Sequence, residues 1–268
     1  MTDPTWAGHR PAGPGESVRA SRSWWDAEAA SYLGEHGPDL GDRELQWGPE
    51  GLREGEAGLL GDVAGRDVLE FGAGAGQGAR WCADRGARAV ASDLSRQMLL
   101  RGRGLDLAGG PAPAAYLQCD AAALPFADAG FDVVFSAYGA LPFTPEGARV
   151  LTEAARVVRP GGRVVFSVTH PVRWMLPDVP GEAGLAVTRS YFDRTPYVEQ
   201  DDTGRPTYVE HHRTLGDRVR DLVAAGLVLV DLVEPEWPEG LERSWGGWSP
   251  LRGRLVPGTA VFVCVRPR

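Results

Sequence analysis

The sequence predicts an α/β fold built on a parallel, doubly wound sheet. Three observations carry that expectation. Val68-Leu69-Glu70-Phe71 is an apolar run that leads into glycines at alternate positions, Gly72, Gly74 and Gly76, and a breaker-free segment then extends to Arg85. This reads as strand, tight turn and helix, with glycine supplying positive φ and room for a ligand to approach the backbone. From Asp67 to Thr169, runs of strand length alternate with helical segments, the pattern of parallel strands joined by crossover helices. Arg163–Thr169 is continuous and valine-rich, as a strand covered on both faces must be.

Taken in order, residues 1–20 are rich in Pro, Gly, Ala and Arg without periodicity and are expected to form a flexible arm. Residues 21–268 are expected to be a single domain. It opens with a helical cover over 21–60. One helix spans Ser21–Tyr32, with Ser23 as N-cap and Gly34 as stop; another runs from about Pro49 to Leu60. The core, 67–169, then reads strand 67–71, helix 77–85, strand 87–92, helix 95–103 with Ser95 as its cap, and strand 115–119. Strand 131–136, helix 145–158 and strand 163–169 complete it, with Arg159-Pro160-Gly161-Gly162 as the breaker between the last two. Residues 170–212 hold no helical period and are expected to form an insert or lid containing a hairpin, with Asp201-Asp202-Thr203-Gly204 as its turn. Helix 214–225 and strand 227–233 follow. Residues 234–256 form a Trp-rich loop, and strand 259–265, reached with no helix between, is expected to run antiparallel.

Composition bounds the function. The 268 residues are 43% apolar, enough for a proper core. Net charge is −8, all 28 basic residues are arginine, and no basic run stands out, which disfavours nucleic acid as a partner. Cys82, Cys119 and Cys264 are scattered, with no C-x-x-C or H-x-x-x-H spacing, so no metal site is expected. Cys119 and Cys264 lie in apolar runs and are expected to be buried thiols, which suits a reducing compartment. The absence of a signal-peptide pattern at Met1, or of an apolar run near the roughly 20 residues of a membrane span, gives a cytoplasmic expectation with no membrane partner. A homodimer is compatible with all of this.

The glycine turn fits two ligand classes. Gly74-Ala75-Gly76-Gln77-Gly78-Ala79 matches G-x-G-x-x-A, the dinucleotide variant. Glu70-x-Gly72-x-Gly74-x-Gly76 matches the acid-led turn whose carboxylate faces the amino-acid half of S-adenosylmethionine. Asp93, 19 positions after Gly74 at a strand end, can accept both ribose hydroxyls of either cofactor, or cap the next helix. Asp120 discriminates between them. It ends the third strand in Cys119-Asp120-Ala121-x-x-Leu124-Pro125-Phe126, where a carboxylate can accept from an adenine amine while the next N–H reaches the ring.

At this point the chain resembles the class I S-adenosylmethionine-dependent methyltransferases, specifically the type 11 group. Four further segments carry the likeness: Glu70-Phe71-Gly72-Ala73-Gly74, Asp93-Leu94-Ser95-x-x-Met98-Leu99, Phe131-Asp132-Val133-Val134 and Arg156-Val157-Val158-Arg159-Pro160-Gly161-Gly162. The resemblance covers about 67–169. It implies a Rossmann-like sheet of seven strands, mostly parallel with the last antiparallel, and S-adenosylmethionine as cofactor with S-adenosylhomocysteine as product. It puts the methionine moiety near Glu70, Gly72, Ala73 and Gly74, the ribose on Asp93, and the adenine between Leu94, Met98, Asp120 and Ala121. Ser136 and Tyr138 fall beside the sulfonium. Ser136-Ala137-Tyr138-Gly139 lacks the N/D-P-P-Y/F of enzymes that methylate base or amide nitrogens, which points to a small organic acceptor. A nicotinamide-dependent oxidoreductase on the same turn, or a cofactor-binding protein that does not methylate, are the alternatives.

Of nine tryptophans only Trp81 lies within 67–169. Trp24 and Trp25, with Tyr32, sit in the cover helix, and Trp25 and Tyr32 are expected to close over the cofactor. Trp174, Trp237, Trp245 and Trp248 fall in the insert and the late loop, the segments expected to form an aromatic acceptor pocket. His170, at the end of the fifth strand, is expected at the mouth of that pocket as a general base, with a hydrogen-bonded structural histidine as the plainer reading. Tyr138 is the other catalytic candidate. Glu210, His211 and His212 read as a solvated or subunit-contacting cluster on the hairpin arm.

Overall fold

A computed structural model describes residues 4–107, 109 and 115–268. The chain opens with β1 (Trp6–His9), then α1 (Pro14–Leu40) and the short α2 (Glu54–Ala57). The core alternates β2 (Asp67–Phe71), α3 (Gln77–Asp84), β3 (Arg88–Asp93), α4 (Arg96–Leu107), β4 (Ala115–Gln118), β5 (Phe131–Ala137), α5 (Gly147–Val157) and β6 (Val158–Thr169). After it come β7 (Tyr197–Gln200), β8 (Pro206–Glu210), α6 (Leu215–Ala224), β9 (Val228–Val233), α7 (Pro250–Gly253) and β10 (Thr259–Val265).

Seven strands form one sheet in the order β4-β3-β2-β5-β6-β10-β9. The first five run parallel, and β10 lies antiparallel between β6 and β9. This is the expected fold class with its antiparallel last strand, although the short α7 lies on the approach to 259–265, where no helix was expected. The chain order reverses between β3 and β5 on either side of β2, so the crevice beyond the carboxyl ends of these strands is the natural ligand site. Alternate residues of each strand serve opposite faces. Val164, Phe166 and Val168 of β6 join Leu69, Phe71, Leu151 and Phe262 on one side; Val165 joins Val68, Phe135, Val261 and Trp47 on the other. Phe166 and Phe262 are register partners and stack with ring centroids 4.9 Å apart.

The N-terminal third departs from expectation. Trp6–His9 of the expected arm pair antiparallel with β7, so that β1, β7 and β8 make a separate three-stranded sheet. The helix expected over 21–32 begins at Pro14 behind Gly13 and ends at Leu40. Pro14 presets its first turn, Ser23 is an interior residue, and Gly34, Gly37 and Pro38 are all accommodated within it. The helix expected over 49–60 shrinks to Glu54–Ala57, because Glu54 is spent on other bonds. Its carboxylate accepts from Trp47 Nε1 and from the backbone N–H groups of Leu59 and Leu60. Trp47 is consequently a core residue. The hairpin at 201–204 is as expected, with Asp201 Oδ1 accepting from the N–H groups of Thr203 and Arg205. Among the described residues no helix is long and apolar enough to cross a membrane.

Candidate functional site

A cavity of about 470 Å³ opens at the carboxyl ends of β2, β3 and β5, a size in the usual range for small-molecule sites. Its floor is the glycine turn. Gly72 and Gly74 sit at φ 60° and 54°. A Cβ on Gly72 would fall 2.6 Å from Ala140 N, and one on Gly74 3.0 Å from Met98 Cε. The loop leaving β5 therefore rests directly on the loop leaving β2. Tyr138 and Ala140 hold positive φ, 57° and 48°, to make that contact, a strain of the kind that clusters at ligand clamps. Arg80, fully buried, fastens the turn from behind through Ala75 O at 2.7 Å and Tyr116 Oη at 2.9 Å.

Three carboxylates end the strands around this floor. Glu70 Oε2 accepts from Ala79 N at 2.7 Å, while Oε1 has no hydrogen bond among the described residues. Burial pushes the Glu70 carboxyl up to about 8, against the pull of Ala79 N–H and of Arg80. Asp93 Oδ2 accepts from Gly74 N at 2.8 Å and Oδ1 from Ser95 N at 2.7 Å, so it joins the glycine turn to the start of α4. Burial raises its carboxyl as well. Asp120 Oδ1 accepts from Ala122 N at 2.9 Å and turns the chain after β4. Glu70, Gly72, Ala73, Gly74, Asp93, Leu94, Met98, Asp120 and Ala121 all line the cavity, as the sequence predicts. Cys119, expected to be buried, is half-exposed and lines it too.

Other expectations are corrected. Ser136 does not line the cavity: it is fully buried beneath the β5 loop, with Gly139 packed over its hydroxyl. His170 does not line it either. Nδ1 accepts from Val172 N at 3.2 Å, which caps the short helical turn 171–175, and Nε2 lies 2.8 Å from Glu234 Oε1. The side chain points away from the pocket it was expected to guard, and burial lowers its pKa. Tyr138 lines the cavity, but its hydroxyl is committed elsewhere. It contacts Thr259 Oγ1 at 2.8 Å and Gly258 O at 3.2 Å, and Thr259 donates to Glu50 Oε2 at 2.6 Å. Burial, with Glu50 nearby, holds that phenol well above its ordinary pKa.

The roof comes from α1, the insert and the late loop. Trp24, Trp25, Tyr32 and His36 reach down from α1. Trp25 packs edge-on against Trp24, Tyr32 and Phe143, and His36 stacks on Trp245 at 4.4 Å, nearly parallel. Of the four late tryptophans, Trp245 and Trp248 line the cavity. Trp174 is instead buried behind it against His212, and Trp237 donates its indole N–H to Leu241 O.

Glu210, His211 and His212 are buried rather than solvated. His211 N donates to Pro142 O and Nε2 lies 2.9 Å from Ser17 Oγ; His212 Nε2 lies 2.7 Å from Tyr191 O. Glu210 faces the cavity beside Tyr208 and Arg173. Asp26 also escaped the sequence reading. Its Oδ1 accepts from Ser95 Oγ at 2.7 Å and Gln97 N at 3.0 Å, tying α1 to the start of α4 next to Asp93. Only Ser95, an N-cap type in need of a partner, hinted at it.

Residues 69–166 match the model of a methyltransferase domain family. The chain is 36% identical over 139 residues to a demethylmenaquinone methyltransferase of Beutenbergia cavernae, covering 51% of this chain and 55% of that protein. It is 37% identical over 108 residues to a malonyl-[acyl-carrier protein] O-methyltransferase of Pseudescherichia vulneris, 40% of this chain and 41% of that one. The chain thus spans about half the length of the curated relatives it matches. An S-adenosylmethionine-dependent methyltransferase of Mesorhizobium loti superposes with a TM-score of 0.64 at 27% identity, over 80% of this chain and 97% of that structure. The 1,6-didemethyltoxoflavin-N1-methyltransferase of Burkholderia thailandensis, solved with its acceptor and S-adenosylhomocysteine, shares the fold with a TM-score of 0.63 at 17% identity across the full length of both.

Proposed function

We propose, for a chain that belongs through its 69–166 core to the class I S-adenosylmethionine-dependent methyltransferases, that it methylates a small organic molecule held under the aromatic roof. The cofactor is S-adenosylmethionine, and the residues fit it. A glycine cradle with no space for a Cβ lies under one end of the cavity. Glu70 is a buried acid with one orphaned oxygen, suited to an ammonium group. Asp93 uses each oxygen for only one backbone N–H, which leaves lone pairs for hydroxyl donors. Asp120, Ala121, Leu94 and Met98 line the cavity beside it.

When bound, the cofactor supplies an electrophilic methyl carbon. The chain's own part is positional. The glycine turn and the β5 loop fix one reactant, the roof fixes the other, and holding the two aligned supplies most of the acceleration. The observation that carries the small-molecule reading is the continuity of one cavity from Asp93 to Trp245 and Tyr208, with tryptophans on its far side. The relatives' printed substrates, a quinone precursor and an acyl-carrier-bound malonyl group, support it. The test is calorimetric binding of S-adenosylhomocysteine and of NADH, followed by methyl transfer from labelled cofactor into a metabolite extract. Label entering low-molecular-weight products is the expected result; label only in protein or nucleic acid would refute the acceptor class.

A further inference from the structure

One carboxylate on the cavity wall keeps an oxygen without a hydrogen bond among the described residues. Glu210, the last residue of β8, is only 8% exposed. Its Oε2 accepts from the Tyr208 hydroxyl at 3.3 Å, and its Oε1 has no hydrogen bond among the described residues. Arg173, on the same wall, is paired with Asp178 at 3.0 Å; its charge also acts on Glu210, but among the described residues no ion pair within 4 Å joins the two. That oxygen is not sealed from solvent, so the cavity presents it to the donor of a ligand. The cavity wall next to Tyr208 is aromatic. Tyr208 packs on Trp24 and Phe143, and Phe143 on Trp25.

We propose that Glu210 recognises the methyl acceptor through its free oxygen, and that the acceptor is a flat aromatic compound with an O–H or N–H at the position methylated. This rests on the methyl-transfer reading above and adds the acceptor's chemistry to it. The aromatic walls sandwich the ring, and Oε1 accepts from its one polar hydrogen. In the transfer, the acceptor's oxygen or nitrogen lone pair forms the bond to the methyl carbon. The carbon–sulfur bond breaks with its electron pair left on sulfur, and the O–H or N–H proton passes to Glu210 Oε1.

Position and charge agree with this role. Glu210 lines the same cavity as Tyr138, Gly139 and Ala140 of the β5 loop. Burial raises the Glu210 carboxyl, and Asp178 and Glu199 raise it further, whereas Arg173 and the Tyr208 hydroxyl pull it down. The donated Tyr208 hydrogen suits the ionised form. His170, the base expected from sequence, has no access to this space.

The test uses the full chain saturated with S-adenosylhomocysteine and two probes, 2-naphthol and 2-methoxynaphthalene, titrated by calorimetry. The wild type should bind 2-naphthol about tenfold more tightly, since only it can donate to the carboxylate. Glu210→Gln keeps the volume and should reduce that preference to about twofold, with affinity for S-adenosylhomocysteine unchanged. Equal affinity of the wild type for the two probes, no binding of 2-naphthol, or an undiminished preference in Glu210→Gln would each overturn the proposal. The wild-type comparison stands even if the variant fails to fold. Failure of S-adenosylhomocysteine itself to bind would overturn the methyl-transfer reading instead, and this one with it.

Discussion

Asp93 shows how one side chain serves both fold and site. Its two oxygens hold Gly74 N and Ser95 N, so it fixes the glycine turn relative to α4 whether or not a ligand is present. Asp93→Ala should therefore act twice. Calorimetry should show S-adenosylhomocysteine binding weakened by about 1.5–3 kcal/mol, the scale of hydrogen bonds to a charged group. Thermal unfolding should show a loss of about 1 kcal/mol from the vacated cap. A stability loss with unchanged affinity would reduce Asp93 to a cap. His170→Ala should behave in the opposite way. With the ring spent on Val172 N and Glu234, the variant should lose about 1–2 kcal/mol of stability and bind S-adenosylhomocysteine normally. A large fall in turnover at full stability would restore it as a base. The glycine-turn end of the cavity was legible because its acids and glycines stand at strand ends of the alternating core, where spacing fixes geometry. The far wall was not. Glu210 enters through a hairpin packed back over the sheet, and Tyr138 is disarmed by Glu50 and Thr259, residues far from it in sequence.

The core elements were legible for a similar reason. Runs such as Phe131–Ala137 and Thr259–Val265 are mostly apolar and mostly buried, the pattern of strands covered on both faces. The boundaries of α1 were not, because its polar and apolar residues are spread around the helix and only Ser17, Ala20, Ser21 and Ala29 are buried. What holds it is specific bonding, including Asp26 to α4 and Ser17 to His211. The second of these is open to titration. Burial, aided by the Arg218 charge, lowers His211 to about 4, whereas an unfolded histidine titrates near 6.5. Since the folded value is depressed, the unfolded chain binds more protons between these values. Stability from this group is complete above about pH 6.5 and falls as pH drops toward 4. Urea unfolding of the wild type and of His211→Gln should show a free-energy gap that narrows by about 2 kcal/mol between pH 7 and pH 5. Comparison with the variant cancels the opposite drift from Glu70, whose raised carboxyl favours the folded state at lower pH. A constant gap would mean that the ring is accessible to protons in the folded protein.

At the scale of the whole molecule, the cavity lies between parts of unequal stability. Its floor belongs to strands buried on both faces by two apolar cores. Its roof includes the second half of α1, where Tyr32, His36 and Leu40 line the cavity. That half contains Gly34, Gly37 and Pro38, each a poor helix former, and none of its residues after Ala29 is buried. Segments with few buried contacts open locally at low cost, whereas core strands open only with global unfolding. A ligand that bridges floor and roof must therefore act mainly on the roof. Hydrogen exchange of the full chain with and without saturating S-adenosylhomocysteine should show slowed exchange over residues 24–40 and in the glycine turn. Protection in β6 and β10 should not change, because those amides are already limited by global stability. Added 2-naphthol should extend the protection to 245–248 and to β8, which supply the far wall of the same cavity. Protection confined to the glycine turn, with 24–40 exchanging as before, would show that the aromatic helix does not close on the cofactor and that Trp25 and Tyr32 serve the fold alone.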